Sequence, residues 1–217
     1  MNISFKIWFE SQSLEIQVAQ FLENILARAA NMKKQDMATG IFKAFSHYTA
    51  AVLPHGSLPD NFPPDIAGKP VHFQILQNNK QADTLHSQGK FAGFEINTAG
   101  FDQARTPEEV DTALEALKSV VHHEVEHIYN VGKEYKQGQG QEKAMQYMSD
   151  PGELKAHARQ IAHQYAKNFP GQPFDIKKAQ SILNQPGFTQ THKNYFQTSN
   201  LHQIFNLIPQ YLTQYTT

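Results

Sequence analysis

His122-His123-Glu124-Val125-Glu126-His127 is the stretch on which the reading of this chain turns. Within it, His123 to His127 has the HExxH spacing. Side chains four apart on a helix lie one above the other, so both imidazoles can reach one zinc ion while the glutamate beside the first meets a water bound to that ion. Two histidines do not complete a zinc site, and a further ligand must come from elsewhere in the chain. The same residues also fit the inverted spacing His123-x-x-Glu126-His127, in which Glu126 would be the base. Flanking residues arbitrate between the two. Val110, Leu114, Leu117, Val121 and Ile128 recur at helical spacing as one apolar stripe, with Glu124 on its margin. Glu126 falls on the opposite side with Glu108, Asp111, Glu115, Lys118, Ser119 and His122, a set that reads as solvated. A general base works where water is partly excluded, which selects Glu124 and leaves Glu126 and His122 to the surface.

Working outward, Thr106-Pro107-Glu108-Glu109 reads as the start of the helix carrying this motif: an N-cap threonine, proline at the first helical position and acids in the first turn. The helix is expected to end near Gly132, with residues 133–143 as an exposed connection. A second strong helix is expected after Ser149-Asp150-Pro151-Gly152, running from Glu153 through Tyr165 and stopping before Pro170. Glu153 and His157 lie one turn apart on it, and either can offer the third ligand.

Toward the N-terminus, Ile3, Phe5, Ile7 and Phe9 alternate as in a strand, and helical patterns cover Ser13 to Met32 and Asp36 to Leu53. The proline-rich segment Pro54 to Pro70 reads as a loop, the best place for an internal boundary in an otherwise single domain spanning 1–217. Two strands are expected at Val71 to Leu76 and Phe91 to Asn97, separated by polar, turn-rich sequence ending in Gln88-Gly89. The C-terminal third reads as helical and broken by prolines. The expected fold class is therefore α+β, predominantly helical, with a small sheet packed against the HExxH helix.

Of the 217 residues 40 % are hydrophobic and 18 % charged, the composition of a folded chain. A net charge of −1 supplies no electrostatic drive toward nucleic acid or an anionic membrane. The absence of cysteine excludes disulfides and thiolate ligands, so a metal would be held by imidazole and carboxylate. With no secretory signal pattern at the N-terminus and no long apolar stretch, the expectation is a soluble cytoplasmic protein.

The stretch from Tyr147 to Ala158, Tyr-Met-Ser-Asp-Pro-Gly-Glu-Leu-Lys-Ala-His-Ala, follows the pattern Tyr-x-Ser-x-Pro-x-Glu-x-x-Ala. Together with HExxH it resembles the zincin metallopeptidases of the gluzincin type, and more closely small zincin-like proteins of bacteriophages and bacteria, over residues 90–165. The resemblance implies a zincin-like fold and a metallopeptidase, phage-encoded and acting in a bacterial host, that hydrolyses peptide bonds by zinc-activated water. It implies one Zn2+ held by His123, His127 and Glu153, Glu124 as general base, and a peptide or protein substrate. His157 stands where thermolysin-like members carry an acid that orients the first histidine, and here imidazole replaces that carboxylate. Tyr129, Tyr147, Tyr165 and His192 are oxyanion donors by residue type alone. Phe91 to Thr98 is the expected edge strand for an extended peptide. The competing reading is a non-catalytic zincin scaffold that binds a partner peptide around a structural metal. The intact Glu124 favours the enzyme, since a structural site needs no base.

Overall fold

Seven helices and a three-stranded sheet, an α+β arrangement, account for the described residues, 13–76, 81–129, 149–185 and 198–215, of the computed structural model. The strand expected at Ile3 to Phe9 and the connection at 133–143 lie outside them. Helix α1 (Leu14–Ala38) buries Ile16, Val18, Ala19, Leu22, Ile25, Leu26, Ala29 and Ala30 along one stripe. It runs past Met32, where a break was expected, because no glycine or proline intervenes before Gly40, whose φ of 77° then turns the chain. After this turn α2 (Phe45–Val52) begins. The following proline-rich loop is tied to the same core as α1 and the sheet through Leu58, Phe62 and Ile66.

Strand β1 (Val71–Gln74) pairs in parallel with β3 (Lys90–Asn97), and β2 (Ala82–Ser87) pairs antiparallel with β3, giving the order β1-β3-β2. Two expectations are corrected here. The polar stretch before Gln88 contains a strand, because its buried positions are Ala82 and Thr84, too weakly apolar to mark a period of two. It is folded back by Gln88 and Gly89, both at positive φ (52° and 73°), as a two-residue hairpin turn requires. Consequently Phe91 to Asn97 is the central strand, hydrogen-bonded on both sides, and among the described residues β2, beside the motif helix, is a terminal strand. Gly93 is needed where β3 crosses the loop: a Cβ there would sit 2.5 Å from the Pro70 carbonyl oxygen.

Helix α3 (Ala99–Gln103) leads into α4 (Pro107–Glu124). Thr106 caps α4 as read from the sequence: its hydroxyl accepts from the Glu109 amide while Glu109 reaches back to the Thr106 amide. Instead of running on to Gly132 as an α-helix, α4 tightens into a 3-10 turn over Val125–His127. Helix α5 (Pro151–Asn168) starts at Asp150, whose carboxylate accepts from the Gly152 amide at 2.8 Å. Helices α6 (Ile176–Ile182) and α7 (Thr198–Leu212) form a second apolar core with α5.

Helix α4 is covered by α1 on one side and by α5 on another. The solvated face expected for it holds at Glu108 and Asp111, which are exposed, but is overturned toward the motif, where Ser119, His122 and Glu126 are all buried. The polar groups of Ser119 and Glu126 are matched across the helix pair, with Gln160 donating to Ser119 at 3.0 Å and Arg159 to Glu126 at 2.7 Å. Among the described residues no helix is long and apolar enough to cross a membrane.

Candidate metal centre

The end of α4 and the start of α5 bring His123, His127 and Glu153 together. His123 Nε2 and His127 Nε2 are 3.3 Å apart, His127 Nε2 is 3.3 Å from Glu153 Oε1, and His123 Nε2 is 3.4 Å from Glu153 Oε2. The change to 3-10 winding does not separate the two histidines. A tetrahedral zinc ion with bonds of about 2.0–2.2 Å spaces its ligand atoms by roughly 3.3–3.5 Å, which is the spacing found. Hydrogen bonds between a cationic nitrogen and a carboxylate run shorter, about 2.7–2.9 Å. Glu153 and His123 are buried, and Glu153 Oε2 has no hydrogen-bond partner among the described residues. The donor set is therefore one that zinc fits: two imidazole nitrogens and one carboxylate, three of the four ligands of a tetrahedral site.

Electrostatics act in the same sense. Burial by itself would push the Glu153 carboxyl up, yet the close approach and charge of His123, with His127 and His157, hold it down to about 2. For His123, burial lowers the ring's basicity, and Glu153, Glu124 and Glu126 outweigh it and raise it. His157 is fully buried with its ring centroid 4.4 Å from that of His123, so it packs beside the first histidine and does not join the three converging ligand atoms.

The two glutamates of the motif have different surroundings. Glu124 is partly exposed, and the Thr84 hydroxyl on β2 lies 2.9 Å from Glu124 Oε2 and 2.7 Å from the Glu124 carbonyl. Glu126 is engaged elsewhere. Its Oε2 accepts from Arg159 Nε at 2.7 Å, its Oε1 from Tyr211 Oη at 3.2 Å, and the guanidinium stacks 4.7 Å above the Tyr211 ring. The selection of Glu124 by a solvated opposite face thus used a wrong premise: Glu126 is set apart by a buried ion pair, not by water. His86 on β2 reaches the His127 carbonyl at 2.9 Å and ties the terminal strand to the end of the motif.

Of the oxyanion candidates, Tyr165 is buried in the second core, donating to the Pro173 carbonyl and accepting from the Asp175 amide, and so is not available to the centre. Tyr129 is half exposed, its hydroxyl pushed up to about 12 by burial and by Asp65. Tyr147 and His192 lie outside the described residues. A surface depression lined by Lys33, Phe42, Lys43, Ala44, Asp102 and Arg105 shares no residue with the centre.

Sequence reasoning set His122 aside as exposed. It is instead 1 % exposed and meets Glu23 of α1 and His163 of α5 in a second group of possible ligands. Burial, with Arg159 nearby, holds the His122 ring down to about 3, and burial with His122 does the same to His163. Nothing local in the sequence pairs residues 23, 122 and 163. The available signal was that His122 occupies the face of α4 that α5 covers.

Comparison with protein-family models, with curated proteins and with solved structures gave no match. The functional reading therefore rests on the residues and their geometry.

Proposed function

We propose that this protein is a zinc-dependent metallopeptidase of zincin type, with His123, His127 and Glu153 as metal ligands and Glu124 as general base. The observation that carries the proposal is the convergence of His123 Nε2 and His127 Nε2, 3.3 Å apart, on the Glu153 carboxylate, one oxygen facing each ring at 3.3–3.4 Å: two ligands from a HExxH motif and one from the helix packed against it. Bound there, zinc supplies Lewis acidity and lowers the pKa of a coordinated water. Thr84 orients the Glu124 carboxylate through Oε2, which leaves Oε1 to take a proton from the attacking water and pass it to the leaving amine. An extended peptide can add to β2, the terminal strand held against the motif by Thr84 and His86. Arg159 and Tyr211 keep Glu126 out of competition for the same proton.

Glu124→Gln is the direct test. The variant should keep its zinc content and melting temperature while its cleavage of an unfolded protein substrate falls by a factor of about 100 or more. Unchanged cleavage would refute the role of Glu124. Zinc bound with no cleavage by the wild-type protein across a broad peptide library would favour the non-catalytic peptide-binding scaffold.

A further inference from the structure

We propose that Glu23, His122 and His163 form a second metal-ion site, taking a divalent transition ion such as zinc, distinct from the His123, His127 and Glu153 centre. The three residues come from three helices, α1, α4 and α5, and their ligand atoms lie within 4.8 Å of one another. Glu23 Oε1 is 3.4 Å from His122 Nε2 and 3.4 Å from His163 Nε2. That spacing is longer than the roughly 2.7–2.9 Å of a charge-assisted hydrogen bond and matches the roughly 3.3–3.5 Å edge of a zinc tetrahedron.

A second, independent observation is the state of the atoms at the centre of the group. Glu23 Oε1 and His122 Nε2 are buried with no hydrogen-bond partner among the described residues, although His122 is only 1 % exposed. Buried polar atoms are rarely left so, and one ion would satisfy both together with His163. The far side of His122 is arranged as in metal-bound histidines: Nδ1 lies 2.8 Å from Tyr215 Oη, which can accept a hydrogen bond from Nδ1–H and so leave the Nε2 lone pair for the metal. The nearby cations Lys118 and Lys167 both pair with Glu115, which offsets their charge. Imidazole and carboxylate without thiolate suit zinc and its first-row neighbours.

The two groups are not halves of a binuclear centre. His122 and His123 are adjacent on α4 and therefore face different directions, whereas a two-metal site holds its ions about 3.5–4 Å apart. Along α5, Glu153 and His163 are ten residues apart, a rise of about 15 Å. An ion at Glu23, His122 and His163 would clamp α1, α4 and α5 at the point where α4 passes into the motif. This inference does not depend on the catalytic proposal.

The test is metal stoichiometry on the full chain, exchanged into zinc-containing buffer and desalted. Wild-type protein should hold two equivalents, and Glu23→Gln and His163→Gln one each, with cleavage activity retained by both variants. His127→Ala should also lose one equivalent; were the catalytic metal reading alone at fault, His127→Ala would lose none while His163→Gln still lost one. Should the variants fold poorly, wild-type crystals soaked in zinc decide: anomalous density between the three residues is expected. No peak there, or wild-type metal content in both variants, would overturn the second site.

Discussion

Glu126→Gln separates the two glutamates of the motif more sharply than any change at Glu124. In the native protein the Glu126 carboxylate meets Arg159 at 2.7 Å and Tyr211 at 3.2 Å, and the two charged side chains are only 9 % and 4 % exposed. Solvent screens such a pair little, and the substitution leaves the guanidinium buried with Gln214 at 3.2 Å among its remaining neutral partners. Breaking one side of a buried pair costs about 3–5 kcal/mol. At about 2–4 °C per kcal/mol for a chain of this size, the melting temperature should fall by roughly 6–20 °C. Scanning calorimetry of the zinc-loaded wild type and variant at equal concentration measures the fall. The double variant Glu126→Gln with Arg159→Met should recover part of it, because the unpaired charge is then gone. Peptide cleavage, assayed well below the variant's transition, should persist. A melting temperature within about 1 °C of wild type would refute the energetic argument. Loss of cleavage equal to that of Glu124→Gln, with fold and zinc retained, would mean that the base has been assigned to the wrong glutamate.

Thr84→Val removes the hydroxyl that orients Glu124. It should lower the cleavage rate about tenfold, cost about 1 kcal/mol of stability and leave zinc content unchanged, and an unaltered rate would show that Glu124 needs no such positioning. Gly93→Ala places a Cβ against the Pro70 carbonyl at a φ of 145°, so it should destabilise by about 2 kcal/mol or more in denaturant melts; a neutral result would refute the close approach of β3 to that loop. In chelator-treated protein, His122 and His163 titrate near 3 when folded and near 6.5 when unfolded, so the unfolded state binds more protons between these values. Their contribution should therefore be complete above about pH 6.5 and weaken as the pH falls toward 3. Glu23, pushed up by burial, acts in the opposite sense, so the readout is the comparison with His163→Gln, whose urea midpoint should depend less steeply on pH between 8 and 4.5. Equal slopes would refute it.

The parts of the fold legible in the sequence were those with strong local causes. The capping box at Thr106, the Asp150-Pro151 start of α5, the apolar stripe of α1 and the two apolar strands are each determined by neighbours within a few residues. Where local signal is weak the reading failed. Strand β2 owes its existence to pairing with β3, because Ala82 and Thr84 carry little apolar character of their own. Missing β2 also misplaced the sheet edge, since a strand's position in a sheet is a property of its partners. The polar face of α4 looked solvated because periodicity distinguishes apolar from polar, not buried from exposed, and a polar face covered by another polar helix face has no separate signature.

By itself the sequence determined the motif, the helix that carries it and the availability of Glu153 at the start of a later helix, because four-residue spacing and capping act locally. Only the tertiary structure decided that His123, His127 and Glu153 converge to 3.3–3.4 Å, that Thr84 meets Glu124, and that Arg159 holds Glu126. It alone joined Glu23, His122 and His163. These contacts link residues 26 to 140 positions apart, and they depend on how α1, α4, α5 and β2 pack, which no local pattern encodes.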